Sequence, residues 1–155
     1  MNTALVLLHS YLRWLLLVLL LASIIKSYSG FSSKKTLAAG DKKLFLFTMI
    51  SAHITLLVGL YLILFGRFGF ITYTPPAGTK VMKDSFLRFF WVEHPVMMLI
   101  AITLITIGRG QVKKSIPDAV KYKKAFWFFL IALIVILAAI PWPGRVDNRP
   151  LFPGM

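Results

Sequence analysis

No cysteine occurs in the 155 residues, so disulfides, thiolate-bound metals and iron–sulfur clusters are excluded. Acidic residues are nearly as scarce, with five Asp and Glu against 18 Lys and Arg. That supply offers no carboxylate pair for hydrolysis, and the chain carries no Walker loop, dinucleotide fingerprint or HExxH helix. A secretory signal pattern is also missing. No basic residue precedes the first apolar run and no small-residue cleavage site follows a short hydrophobic core, so the first block is expected to be a retained helix.

What remains is mostly apolar: 58% of the residues are hydrophobic, and they come in long blocks rather than amphipathic stripes. A membrane-spanning helix needs about 20 mostly apolar residues. Four blocks qualify, from about Thr3 to Ile25, Leu44 to Phe65, Phe89 to Ile107 and Ala125 to Ile140. Pro141 and Pro143 end the last one. Little length is left over, so a single membrane domain is expected, without a soluble module.

The net charge of +13 follows these blocks. The first loop holds Lys26, Lys34, Lys35, Lys42 and Lys43, and the third holds Arg109, Lys113, Lys114, Lys121, Lys123 and Lys124. These loops share one side of a four-span protein. The positive-inside rule makes that side cytoplasmic and puts both termini in the periplasm of a bacterium, with the chain in the inner membrane. Basic residues that flank spans serve topology and anionic headgroups. They build no stacking platform, so nucleic acid is not expected as a partner.

The first loop, Ser27 to Lys43, reads as a short basic linker with a helical turn. The second, Arg67 to Arg88, carries the turn sequence Thr74-Pro75-Pro76-Ala77-Gly78 between aromatic flanks. Ile116-Pro117-Asp118 reads as a break and restart of helix, and the tail after Pro141 is expected over the outer mouth. Short connections predict antiparallel neighbours and hence an all-α, up-down-up-down four-helix bundle. Ala22, Ser23, Ser51, Ala52, Gly59, Ala101 and Ala138 form no small-xxx-small repeat within one span. Small residues are therefore expected to knit the bundle weakly, and a cofactor in the core would help to hold it.

Histidine is the third scarcity, and the informative one. His9, His53 and His94 are the only three, one in each of the first three spans. An ionisable group inside a bilayer marks a functional-site hypothesis, and imidazole is a common ligand for metals and haem iron. His9 and His94 lie about 9 Å inside the outer ends of parallel helices, at 1.5 Å per residue. They are expected to meet at one depth across the core, with a planar haem between them. His53 lies a turn or more deeper, where it could replace one of the pair, bond a propionate or line a substrate site. Arg13 sits one turn below His9, and the first explanation for its charge is an ion pair with Glu93. The functional alternatives are that Arg13 meets a haem propionate and that Glu93 takes protons from a quinol. Arg88, Arg145 and Arg149 are further propionate candidates. Met97 and Met98 follow His94 at helical spacing, as core filler or as thioether ligands for copper(I).

Leu8-His9-Ser10 with Arg13-Trp14, Ala52-His53-Ile54 followed by Gly59, Glu93-His94-Pro95 with Met98, and Ile140-Pro141-Trp142-Pro143 with Arg149-Pro150-Leu151-Phe152 resemble small bacterial four-helix membrane proteins labelled "cytochrome B". The resemblance spans nearly the whole chain and implies a b-type haem and a role in respiratory or redox chemistry. More distantly the layout resembles the copper-resistance D group, which implies copper handling. The leading expectation is a haem b protein of the inner membrane that transfers single electrons, its potential set by bis-imidazole ligation and nearby arginines. Its partner would be a quinone, or another subunit of a membrane complex. The other two readings are a cofactor-free structural subunit and a copper-handling protein using His94, Met97 and Met98.

Overall fold

The computed structural model describes residues 3–146. Hydrocarbon offers no partner for a backbone N–H or C=O, so apolar runs must satisfy those groups internally, as helices. Four long helices result: α1 (Thr3–Ser32), α2 (Ala39–Phe65), α3 (Ser85–Lys113) and α4 (Asp118–Ala139), each long and apolar enough to cross a membrane. They form an up-down-up-down bundle in which α1 packs on α2 and α4, and α4 on α3. The fourth side, between α2 and α3, is less closely packed. The outward faces are apolar, with Val18, Ile25, Leu57 and Ile134 all more than half exposed. Such a surface suits lipid, and the chain is a multi-pass membrane protein.

The inward faces follow a spacing of alternately three and four residues. On α4 the positions are Asp118, Tyr122, Ala125, Phe129, Ala132, Ile136 and Ala139, the last six of them buried. On α1 they are His9, Arg13, Leu16, Leu20, Ser23, Ser27 and Gly30, and on α2 Phe45, Thr48, Ala52, Thr55 and Gly59. A 3.5-residue repeat is the seam of left-handed helix packing. On α4 small residues alternate with large ones, and on α1 they gather toward the basic end as Ser23, Ser27 and Gly30. They therefore do bring the helices together, contrary to the expectation from small-xxx-small spacing alone; the Ala125–Ala132–Ala139 repeat is seven residues long and escapes that test.

The helices run further than the apolar blocks at the basic end. α1 continues to Ser32 and α2 starts at Ala39, so most of the expected first linker is helix. α1 ends with Lys34 at φ 48° and the Lys35 N–H donating to the Gly30 carbonyl at 2.9 Å, a left-handed C-terminal cap. The third connection shrinks to residues 114–117, and helix restarts at Asp118 as expected.

Two features place α3. Asp84 caps its start by accepting from the Leu87 N–H at 2.9 Å. Five residues later the helix widens into a π turn, Phe89–Glu93, where the His94 N–H reaches back to the Phe89 carbonyl. Pro95 supplies a reason: it has no N–H and its ring crowds the preceding turn, and an inserted residue relieves both.

Candidate functional site

At the end of the bundle away from the basic loops, the inward positions at one level are His9 on α1, Gly59 on α2, His94 on α3 and Ala139 on α4. Gly59 has no side chain, and a Cβ there would stand 3.1 Å from His9 Cε1. The His9 ring therefore lies against bare α2 backbone. Its Nδ1 is buried without a hydrogen-bond partner of ordinary geometry, facing the Thr55 backbone. The His94 ring is tied more firmly, because Nδ1 donates to the Ala139 carbonyl at 2.8 Å. A carbonyl can only accept, so the proton sits on Nδ1, and Nε2 keeps its lone pair.

The two ring centroids are 6.3 Å apart with planes at 70°. Two imidazoles sharing one metal through Nε2, at about 2.0 Å each and with the ring centre about 1.2 Å behind that nitrogen, would have their centres about 6.4 Å apart at most. The observed spacing matches. Rotation of either ring about its own metal–nitrogen axis leaves this distance unchanged, so the 70° angle is compatible with it.

Both rings line a cavity of about 670 Å³ that runs from this end into the bundle. Cofactor-sized sites span roughly 300–1,000 Å³. Leu16, Leu56, Met98, Ile102, Ile136 and Ile140 supply apolar walls, while Ser10, Arg13, Thr55 and Arg67 add polar groups. Among the described residues no three His, Cys, Asp or Glu side chains gather into a cluster, so the site is a pair of imidazoles. A buried Nδ1 on one ring, a backbone-tied Nδ1 on the other and a glycine cradle leave a pair of imidazoles that would suit a haem.

Of the residues singled out from sequence, the structure brings together His9, His94 and Arg13. The Arg13 guanidinium donates to Ser10 Oγ at 3.1 Å and lies 5.2 Å from the Trp14 ring centre. His53 does not join them. It lies six residues inward of Gly59, about 9 Å along the helix, outside the cavity lining, and its Nδ1 donates to the Met49 carbonyl of its own helix at 2.8 Å. The expected Arg13–Glu93 pair is replaced by another: Glu93 accepts from Arg88 Nε at 2.8 Å. A π turn brings residues five apart onto one face, and Glu93 turns away from the level where His94 points inward. Arg88 also donates to the Met82 carbonyl, and Arg145 donates to the Ala138 carbonyl and stacks over Phe89. Both candidates are thus engaged elsewhere. Arg149 lies outside the described residues. Met98 lines the cavity and Met97 does not.

Two residues of the site were given no role in it by the sequence. Gly59 makes room for His9, a role visible only once α1 and α2 are docked. Arg67 lines the cavity from the turn after α2, although by position it is simply the first cation beyond a span. Family models, curated proteins and solved structures offer no match to this chain.

Proposed function

We propose that this chain is a b-type haem protein that carries single electrons in a membrane, in which His9 and His94 would hold the haem iron. The observation behind the reading is the imidazole pair, 6.3 Å apart in the wall of a cofactor-sized cavity. Reversible one-electron exchange is the chemistry such a group supplies when bound. The chain's own part is to hold both ligands ready. The Ala139 carbonyl fixes the tautomer and orientation of His94, a hydrogen bond that makes an imidazole a better ligand. Gly59 lets His9 lie close to α2. The leucine, isoleucine and methionine walls keep water from the ring faces, and Arg13 contributes a positive charge one turn from His9, which favours the reduced state.

The charge distribution supports a bacterial inner membrane, with the cavity at the periplasmic end. In that setting the electron donor is a quinol or another subunit of a membrane complex. The copper reading is less well supported, since of its three ligands only His94 and Met98 share the cavity. A cofactor-free subunit would have to leave two imidazoles facing a void in a membrane interior, at a cost in unmet polar interactions.

The test is an absorption spectrum of the purified full-length protein, with the haem quantified as its pyridine haemochrome. A low-spin b-type spectrum at one haem per chain is expected. His94→Ala should abolish it while circular dichroism stays helical. A colourless, metal-free wild type would overturn the reading, and iron-free protein with stoichiometric copper would replace it with copper handling.

A further inference from the structure

The cavity has a cation on either side of the histidine level. Arg13 lies one turn inward of His9. Arg67 lies in the turn just past the outward end of α2, which is six residues or about 9 Å of helix beyond Gly59, at the cavity rim. Haem carries both of its carboxylates on one edge, so only one of these cations can face them.

The two differ in how they are held. The Arg13 guanidinium is engaged with Ser10 Oγ and Trp14 inside the bundle. Arg67 is exposed, its guanidinium 5.3 Å from the Phe68 ring centre. Among the described residues no hydrogen bond or ion pair engages that guanidinium. Its backbone, in contrast, is well fixed. The Gly66 N–H donates to Leu62 at 2.8 Å and the Phe70 N–H to Ile63 at 2.8 Å. Thr72 Oγ1 donates to the Gly66 carbonyl, and Trp91 Nε1 donates to the Phe68 carbonyl at 2.7 Å, tying the turn to α3. A rigid turn thus presents five uncommitted guanidinium donors at the mouth of the cavity, and a planar fork of that kind suits a carboxylate.

Desolvation decides the direction. Two carboxylates turned inward would lie in the bundle interior with Arg13 for company, and buried charge is costly even when paired. Turned outward, they stay near water and meet Arg67. Resting on the haem reading, we infer that Arg67 anchors the carboxylate edge of the haem at the mouth, and that Arg13 is not a carboxylate anchor.

The experiment measures haem loss from the full-length protein in lipid nanodiscs, by transfer to excess apomyoglobin. Arg67→Gln should release haem about tenfold faster, the worth of one charge-assisted hydrogen bond, with Arg67→Lys intermediate. Arg13→Gln should speed haem loss less than Arg67→Gln does and should lower the reduction potential instead, because its charge sits beside His9. Haem dimethyl ester, which lacks the carboxylates, should leave wild type as fast as haem leaves Arg67→Gln, and the substitution should not speed it further. Two results would overturn the inference: wild-type retention by Arg67→Gln, or equal sensitivity of haem and its ester to that substitution, which would make Arg67 a packing residue. Faster loss from Arg13→Gln alone would turn the carboxylates inward. A wild type that takes up no haem overturns the underlying reading instead, and this inference with it.

Discussion

The two ends of the bundle use the same interior spacing with different residues. At the basic end the interior is filled. Tyr122 is 1% exposed; its hydroxyl donates to Asp41 Oδ2 at 2.6 Å and accepts from the Ala38 N–H at 3.4 Å. Its ring lies where a Gly30 side chain would be. Asp118 accepts from the Leu37 N–H at 2.8 Å and from Lys121 at 2.9 Å. About two turns inward, Ser23 and Thr48 share a hydrogen bond at 2.8 Å, while Phe45 and Phe129 pack edge to face. Rings of α4 occupy the space beside Gly30 and beside Gly108. At the opposite end the small residues, Gly59 and Ala139, meet two imidazoles and a cavity. The lesson is that small residues let helices approach at one end and reserve space at the other, and only the partner across the gap tells which.

The largest effect should come from the filled end. A Cβ on Gly30 would fall 2.5 Å from three atoms of the Tyr122 ring, and that ring is held at its hydroxyl and enclosed on its faces. It has nowhere to move, so Gly30→Ala should destabilise the fold by about 2 kcal/mol or more. Unfolding in detergent, followed by circular dichroism, measures it. Gly40→Ala is the control, because a Cβ there meets nothing within 4 Å. Equal melting of the two variants would mean that this end is not filled as described, and the contrast between the ends would fail.

At the hollow end the corresponding change should be milder and should register on the ligand instead of the fold. A Cβ on Gly59 stands 3.1 Å from His9 Cε1, closer than ordinary packing, but the ring borders a cavity and can shift by a few tenths of an ångström. Gly59→Ala should therefore leave the melting of the cofactor-free protein nearly unchanged. It should weaken haem retention by several-fold and alter the low-spin spectrum, as one axial ligand is pushed off its preferred position. Electron paramagnetic resonance of the oxidised protein reads that displacement directly. A spectrum identical to wild type would place the ligand elsewhere than His9.

How much of this was legible in the sequence depends on whether a residue's role is local. The four spans were, because twenty apolar residues can hardly do anything else in lipid, and Pro141 marks the last end. The helical extensions were not. Ser27 to Ser32 and Ala39 to Lys43 are polar enough to look like a loop, yet helical hydrogen bonds do not require apolar side chains. The meeting of His9 and His94 followed from counting along parallel helices. The Arg13–Glu93 pair failed because the π turn before Pro95 changes which residues share a face, so Glu93 meets Arg88. The roles of Gly59 and Arg67 were not legible, since each acts through what another helix brings to it.

The smallest effect is the most discriminating. His53 and His9 are indistinguishable by composition: each is a lone imidazole in an apolar span. The structure separates them by what surrounds the ring. His53 spends Nδ1 on the Met49 carbonyl one turn back in its own helix, a bond that holds no second helix, and it is absent from the cavity wall. Leucine fills a similar volume and suits an apolar environment, so His53→Leu should leave haem content, spectrum and retention unchanged and shift stability by less than about 0.5 kcal/mol, as for a substitution away from any packed or bonded network. His9→Leu, made alongside, should lose the haem. The opposite pattern, with His53→Leu colourless and His9→Leu intact, would move the ligand pair from α1 and α3 to α2 and α3. That arrangement requires the loosely packed side of the bundle to close by sliding His53 outward about two turns, since it now lies about 9 Å below the level of His94. Such a slide would pull Thr48 away from Ser23 and Phe45 away from Phe129, so it cannot occur without undoing the filled end as well.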